Sequence, residues 1–218
     1  YNHNPLRLTY NYIGARYDEP LQEDGDIHQA RLTWIREYST QLTSKLGLGP
    51  SYEKTEGRDA NWGGNGIAEL KYMGQRNSLT ALIDKRYDVD NFSGTSRRGF
   101  VDTWNALLSY THQPLQDLSL NAYLSYLYED RENSIVGISR AIDAGADQEI
   151  TDREFNDLET YHRDRYQAGI GLNYNFFQDY SALISYRFTR QESDIVFDNY
   201  DESRLLLTLS WRRDLLRW

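Results

Sequence analysis

The chain contains no cysteine, which removes disulfide frameworks, thiolate metal centres and cysteine nucleophiles together. It also lacks any run approaching the roughly 18 apolar residues that a membrane helix needs, and its mean hydropathy is -0.77. A helical membrane protein is therefore excluded. A membrane β-barrel is not, because its strands mix lipid-facing and lumen-facing residues in equal shares. Positive charge is in deficit: 24 Lys and Arg stand against 33 Asp and Glu, a net charge of -9, which argues against nucleic acid as a partner. No N-terminal signal peptide is visible. The chain opens at "YNHNPLRLTYNY", already in a strand-like pattern, which reads as a processed or trimmed N-terminus, so the missing signal says nothing about compartment.

What the chain does have is tyrosine. Its 18 Tyr and 5 Trp bring aromatics to 14% of the residues, and such amphipathic rings suit β-structure and membrane interfaces alike. Alternation of apolar and polar residues is the other signal. In "YQAGIGLNYNFFQDYSALISYRF", Tyr166 to Phe188, Tyr166, Ala168, Ile170, Leu172 and Tyr174 share one face. The run resumes after Gln178-Asp179 with Tyr180, Ala182, Ile184, Tyr186 and Phe188. Side chains on a strand point alternately to opposite faces, so this is an antiparallel hairpin with one apolar and one polar face. The same reading predicts about ten strands, including those carrying Leu6 to Tyr12, Ala30 to Trp34, Leu42 to Tyr52, Ala68 to Tyr72, Leu79 to Ile83, Trp104 to Tyr110, Leu118 to Tyr126 and Leu205 to Trp211.

The connections alternate in length. Ser39-Thr40, Gly74 to Asn77, His112 to Asp117 and Gln178-Asp179 are short. Ala15 to Asp26, Glu53 to Asn65, Asp88 to Gly99, Glu129 to Asp164 and Gln191 to Ser203 are long and polar. Short turns at one end and long loops at the other are the pattern of an up-and-down outer-membrane barrel, and an even strand count puts both termini at the short-turn end. Alternation alone does not say which face is inside, and a soluble lipocalin-like barrel is the alternative.

Two features favour an apolar face turned outward into lipid. The polar phase carries mid-strand charge: Arg7, Arg31, Glu37, Lys45, Glu69, Lys71, Asp84, Arg86, Arg165, Arg187, Arg204 and Arg212 are the expected lumen-lining residues, and they are biased toward the basic. The aromatics fall at the strand ends: Tyr38, Tyr72, Tyr110, Tyr174, Tyr180 and Trp211 near the short turns, Tyr12, Tyr52, Tyr126 and Tyr166 near the long loops. Two such girdles around an aliphatic band fit a bilayer better than a soluble core.

The tail "NYDESRLLLTLSWRRDLLRW" resembles the C-terminal assembly strand of bacterial outer-membrane β-barrel proteins, with Leu205, Leu207, Leu209 and Trp211 alternating and Trp218 as a terminal aromatic. "SYRFTRQESD…NYDESRLLLTLSW" resembles the β-barrel porin family associated with exopolysaccharide export. That resemblance implies a single outer-membrane barrel over residues 1–218, in contact with outer-membrane lipid and lipopolysaccharide, with a protein partner in an envelope complex and no cofactor.

Catalytic and metal chemistry were sought separately. His28 follows Asp26 and His162 precedes Asp164 near the long-loop end, so each histidine has a carboxylate near in sequence that could orient it for an outer-membrane hydrolase. No nucleophile motif accompanies them. Asp143, Asp147, Glu149 and Asp152 are candidate metal ligands in the longest loop, but their spacing departs from the calcium-loop pattern, and a solvated acidic loop with a short helix over Asp152 to Tyr161 accounts for them. Gly63-Gly64-Asn65-Gly66 reads as a turn at a strand start. The expectation is a porin-like barrel, either a narrow channel or a largely plugged pore, possessing a place in a surface or export assembly. Its alternatives are a non-conducting scaffold whose acidic extracellular loops bind a protein, polysaccharide or lipopolysaccharide, and third a hydrolase.

Overall fold

A computed structural model of the chain describes residues 4–16, 24–55, 60–89, 100–132, 160–176, 179–194 and 199–211. Ten strands make up one antiparallel sheet: β1 (Leu6–Ala15), β2 (Gly25–Glu37), β3 (Leu42–Thr55), β4 (Asn61–Met73), β5 (Asn77–Val89), β6 (Phe100–Leu115), β7 (Leu118–Glu132), β8 (Thr160–Phe176), β9 (Tyr180–Ser193) and β10 (Tyr200–Trp211). Their spatial order is their chain order, β1 through β10, each strand pairing with the next. This up-and-down arrangement needs only hairpin connections. Among the described residues there is no helix, and the outer edges of β1 and β10 have no ladder partner.

The strands run further into the polar segments than their apolar alternation suggests. β3 continues through Thr55, β4 begins at Asn61 and β7 continues through Glu132. Ladder hydrogen bonds use the backbone and are indifferent to the side chain, so pairing outlasts the hydrophobic pattern. Gly63 to Gly66 therefore lie inside β4, paired with Leu48 to Ser51 of β3, and do not form a turn. Likewise Thr160 and Tyr161 open β8; the rest of the expected Asp152 to Tyr161 helix lies outside the described residues.

Each strand is displaced along its neighbour. Following directly opposed residues from Leu6 leads through Trp34, Leu46, Ala68, Ile83, Ala106, Tyr126, Tyr166 and Arg190 to Asp201. The path starts at the short-turn end of β1 and finishes at the long-loop end of β10. Such a stagger means that the strands tilt and the sheet coils, as in barrel walls.

The sheet bends toward its polar face at β3. Gly47 and Gly49 point there, and a Cβ on Gly49 would lie 1.8 Å from the Ala30 carbonyl oxygen, so only glycine allows β2 to come this close. Pro50 supplies no N–H, and the β2–β3 ladder is interrupted between Gln29↔Ser51 and Leu32↔Leu48. Asn65 of β4 reaches across the gap. Its Nδ2 donates to the carbonyls of Ala30 (3.1 Å) and Pro50 (2.9 Å), the acceptors that the broken ladder leaves over.

Candidate functional site

The two faces of the sheet have exchanged the places usual in a water-soluble protein. Among the described residues only Ile27 and Val101 are buried apolar side chains, whereas Gln29, Thr33, Ser44, Ser51, Asn65, Asp84, Thr103, Thr189 and Gln191 are buried and polar. Leu8, Leu48, Leu205 and Leu209 are each 70% exposed or more, and the apolar residues of every other strand follow them. In soluble folds the informative departures from the rule are buried polar groups and large exposed apolar patches. Both occur here: eight of the nine buried polar residues lie on the face opposite the leucine rows, and Ser44, on the leucine face, bonds the Tyr38 hydroxyl.

The apolar face carries aromatic residues at two levels. Tyr166 and Tyr174 of β8 stand eight positions apart, which at about 3.3 Å per residue is roughly 26 Å along a tilted strand. At a strand tilt of roughly 35–45° this projects to about 19–22 Å of height, a little less than an apolar band of about 25 Å. Tyr12, Tyr52 and Tyr126 lie toward the long loops, and Tyr38, Tyr72, Tyr110, Tyr180 and Trp211 toward the short turns. Cations sit at both margins: Arg36 stacks over Tyr38 at 4.8 Å, and Lys85 lies 5.1 Å from the Trp104 ring while pairing with Asp102 at 2.8 Å. Between the margins, shallow apolar troughs run across the strands; one of about 750 Å³ lies between rows that include Leu70, Leu108 and Leu124 on one side and Leu46, Ile83 and Ala106 on the other.

The two histidine–carboxylate pairs do not form. The Tyr10 hydroxyl lies 2.6 Å from His28 Nδ1, while Asp26 accepts from the Tyr12 hydroxyl (2.6 Å) and pairs with Arg16 (2.8 Å). Asp164 accepts from Tyr126 (2.6 Å), and His162 Nδ1 is 3.0 Å from the Tyr128 hydroxyl and 3.4 Å from Asp130. The reason is geometric. Residues i and i+2 point side by side along a strand, and cross-strand neighbours are nearer partners than they are to each other. Both histidines belong to aromatic clusters of the apolar face, with Tyr12 and Tyr52 flanking His28 and Tyr128 stacked on His162. Asp143, Asp147, Glu149 and Asp152 lie outside the described residues, as does Arg212.

Arg7, Arg31, Glu37, Lys45, Glu69, Lys71, Asp84, Arg86, Arg165, Arg187 and Arg204 all fall in the phase opposite to the aliphatic rows. Toward the long loops these groups are partnered. Arg31 Nε donates to Asn65 Oδ1 at 2.8 Å, and Asn65 also bonds Ser51. Arg165 donates through Nε and Nη2 to Gln191 Oε1 at 2.9 and 2.8 Å. Arg163 pairs with Glu129, both largely buried, and Arg86 lies 3.8 Å from Asp84. Gln29 donates to the Tyr87 carbonyl at 2.8 Å. Lower on the same face the pattern changes: Arg7, Lys45, Lys71 and Arg187 make no hydrogen bond or ion pair with any described residue. Lys45 and Glu69 are directly opposed in register yet do not pair.

Sequence reading missed Asn65, Gln191 and Gln29, the neutral groups that partner this network. Only the signs of charge had been followed along the polar phase, and amides carry none. The alternation that places Arg31 and Arg165 also puts Gln29 and Gln191 on the polar face, without saying which strand neighbours they meet.

No protein-family model matches the chain, and no curated protein matches it. Among solved structures it is similar to one described as "NanC porin structure in rhombohedral crystal form", at 12% identity over 95% of this chain and 94% of that one, with a TM-score of 0.39.

Proposed function

We propose that the chain forms the wall of an outer-membrane pore of Gram-negative type, with its apolar face in lipid and its polar face lining a narrow, anion-biased passage for small solutes. The observation that carries this reading is the inversion of the two faces, with eight polar side chains buried on one and the leucine rows exposed on the other. Water on the apolar face would leave an extended hydrophobic surface on every strand, whereas lipid removes that cost. The sheet also suits lipid because its backbone groups are paired strand to strand through the interior of the ladder. The anion bias rests on Arg7, Lys45, Lys71 and Arg187, cations left without partners on the face assigned to the lumen. The aromatic margins would sit at the two bilayer interfaces, the long-loop margin against lipopolysaccharide. A place in a surface or export assembly rests on the sequence resemblance alone.

The test is the current carried by refolded protein in a planar bilayer under a potassium chloride gradient. Discrete steps with a reversal potential of the sign set by chloride are expected. Stable insertion without steps would favour the scaffold reading, in which the loops bind a partner. Protein that stays soluble without detergent and never inserts would overturn the membrane assignment.

A further inference from the structure

Arg187 of β9 and Arg204 of β10 are directly opposed in register, so both guanidinium stems leave the polar face side by side. Their Cβ atoms are about 5 Å apart at such a position, and like charges placed so destabilise a sheet. The surroundings do little to relieve this. Arg204 bonds only Glu202 on its own strand, and Arg187 bonds no described residue. On the polar face of β8 the neighbours are Arg165, Gln167, Gly169, Gly171 and Asn173, and on β9 they are Ser185 and Thr189; none is a carboxylate. Two guanidinium groups therefore share one acid.

Room lies beside them. Gly169 stands opposite Arg187, and the Tyr123 ring lies over it so closely that a Cβ there would come within 2.2 Å of the ring. Gly171 stands opposite Ser185, and a Cβ on it would meet nothing nearer than 3.7 Å. The ring fills the ground above Gly169, and the small residues Gly171 and Ser185 lie beside it, next to Arg187. The Arg204 side chain is 57% exposed and reachable from there.

We propose that Arg187 and Arg204, with Gly171 and Ser185 beside them and the Tyr123 ring as one wall, form a discrete oxyanion-binding site, one that takes a carboxylate or phosphate group. This deepens the pore reading and rests on it for access. Guanidinium stays charged at any working pH, and its planar fork of donors meets two oxygens of a carboxylate or phosphate at once. An anion between the two arginines would replace their repulsion with charge-assisted hydrogen bonds, and Ser185 would add a hydroxyl donor.

The experiment measures inorganic phosphate and succinate in two ways. One is reduction of chloride current in a bilayer; the other is equilibrium binding to refolded protein in detergent, which needs no conductance. The variants are Arg187→Gln, Arg204→Gln, Arg187→Lys, and Arg76→Gln as a cation at the short-turn end, away from the pair. Either probe should bind, with the affinity falling at least about tenfold in Arg187→Gln and in Arg204→Gln. Arg187→Lys should recover part of the loss, and Arg76→Gln should leave binding unchanged. Whichever probe binds names the oxyanion. Binding without conductance would overturn the pore and keep the site. Conductance without binding of either probe, or an equal loss from Arg76→Gln, would overturn the site and leave only a diffuse field. Each refolded variant is compared with wild type by far-UV circular dichroism, and Arg187→Lys supplies a second, charge-conserving variant should Arg187→Gln not refold.

Discussion

The polar face has two regions that treat arginine differently. Near the long loops Arg31, Arg163 and Arg165 are each held by a named acceptor, Asn65, Glu129 and Gln191. Toward the middle of the wall Arg187 and Lys45 point from the same face with no partner among the described residues. The cations themselves do not separate by burial, since Arg31, Arg165, Arg187 and Lys45 are all half-buried. What differs is a deeply buried acceptor beside the first group: Asn65 and Gln191 are 3% and 5% exposed, and a group buried that far must find a partner. Arg204, in the second region, is 57% exposed and bonds only Glu202 on its own strand. The first region ties the wall together, and in the proposed pore the second would keep its charge available to a solute.

Replacements should separate the two regions, and the largest effect is expected at Glu129. Glu129→Ala would leave Arg163 largely buried and short of its carboxylate, at a cost of about 3 to 5 kcal/mol, read as a shift in urea-induced unfolding from vesicles. Leu124→Arg, on the opposite face, should cost about 2 to 4 kcal/mol in the same assay, provided that this face meets lipid. Asn65→Ala frees the Ala30 and Pro50 carbonyls and the Arg31 guanidinium together, and about 1 to 3 kcal/mol should be lost. Arg187→Gln is the smallest. Stability should change by less than about 0.5 kcal/mol, and relief of the repulsion with Arg204 should make the sign favourable. An Arg187→Gln variant as unstable as Glu129→Ala would erase the contrast between the regions.

Much of the fold was legible in the chain because a strand's two faces are written in alternate letters. The outward rows such as Leu205, Leu207 and Leu209 stand where alternation puts them, and all four short connections join neighbouring strands. The reading failed where pairing departs from side-chain pattern. Gly63 to Gly66 looked like a turn because glycine and asparagine favour turns. In the sheet those residues serve the bend, where Asn65 supplies donors to a ladder broken at Pro50. The histidines misled for a related reason. Asp26 and His28 are close in sequence, but the partner of each comes from β1, and cross-strand distance is set by register rather than by sequence separation. The pairing of Arg165 with Gln191 was hidden likewise, since the β8–β9 register must be known first.

The account depends most on which face meets lipid, and the absence of cysteine makes that directly measurable. Leu124 and Ser125 are adjacent on β7 and point to opposite faces. Leu124→Cys and Ser125→Cys would be refolded into vesicles, labelled with an environment-sensitive fluorophore and exposed to brominated lipid and to iodide. The predicted result is quenching of the Leu124→Cys label by brominated lipid and of the Ser125→Cys label by iodide. The reverse pattern, or equal access of iodide to both labels, would contradict the assignment of the apolar face to the membrane.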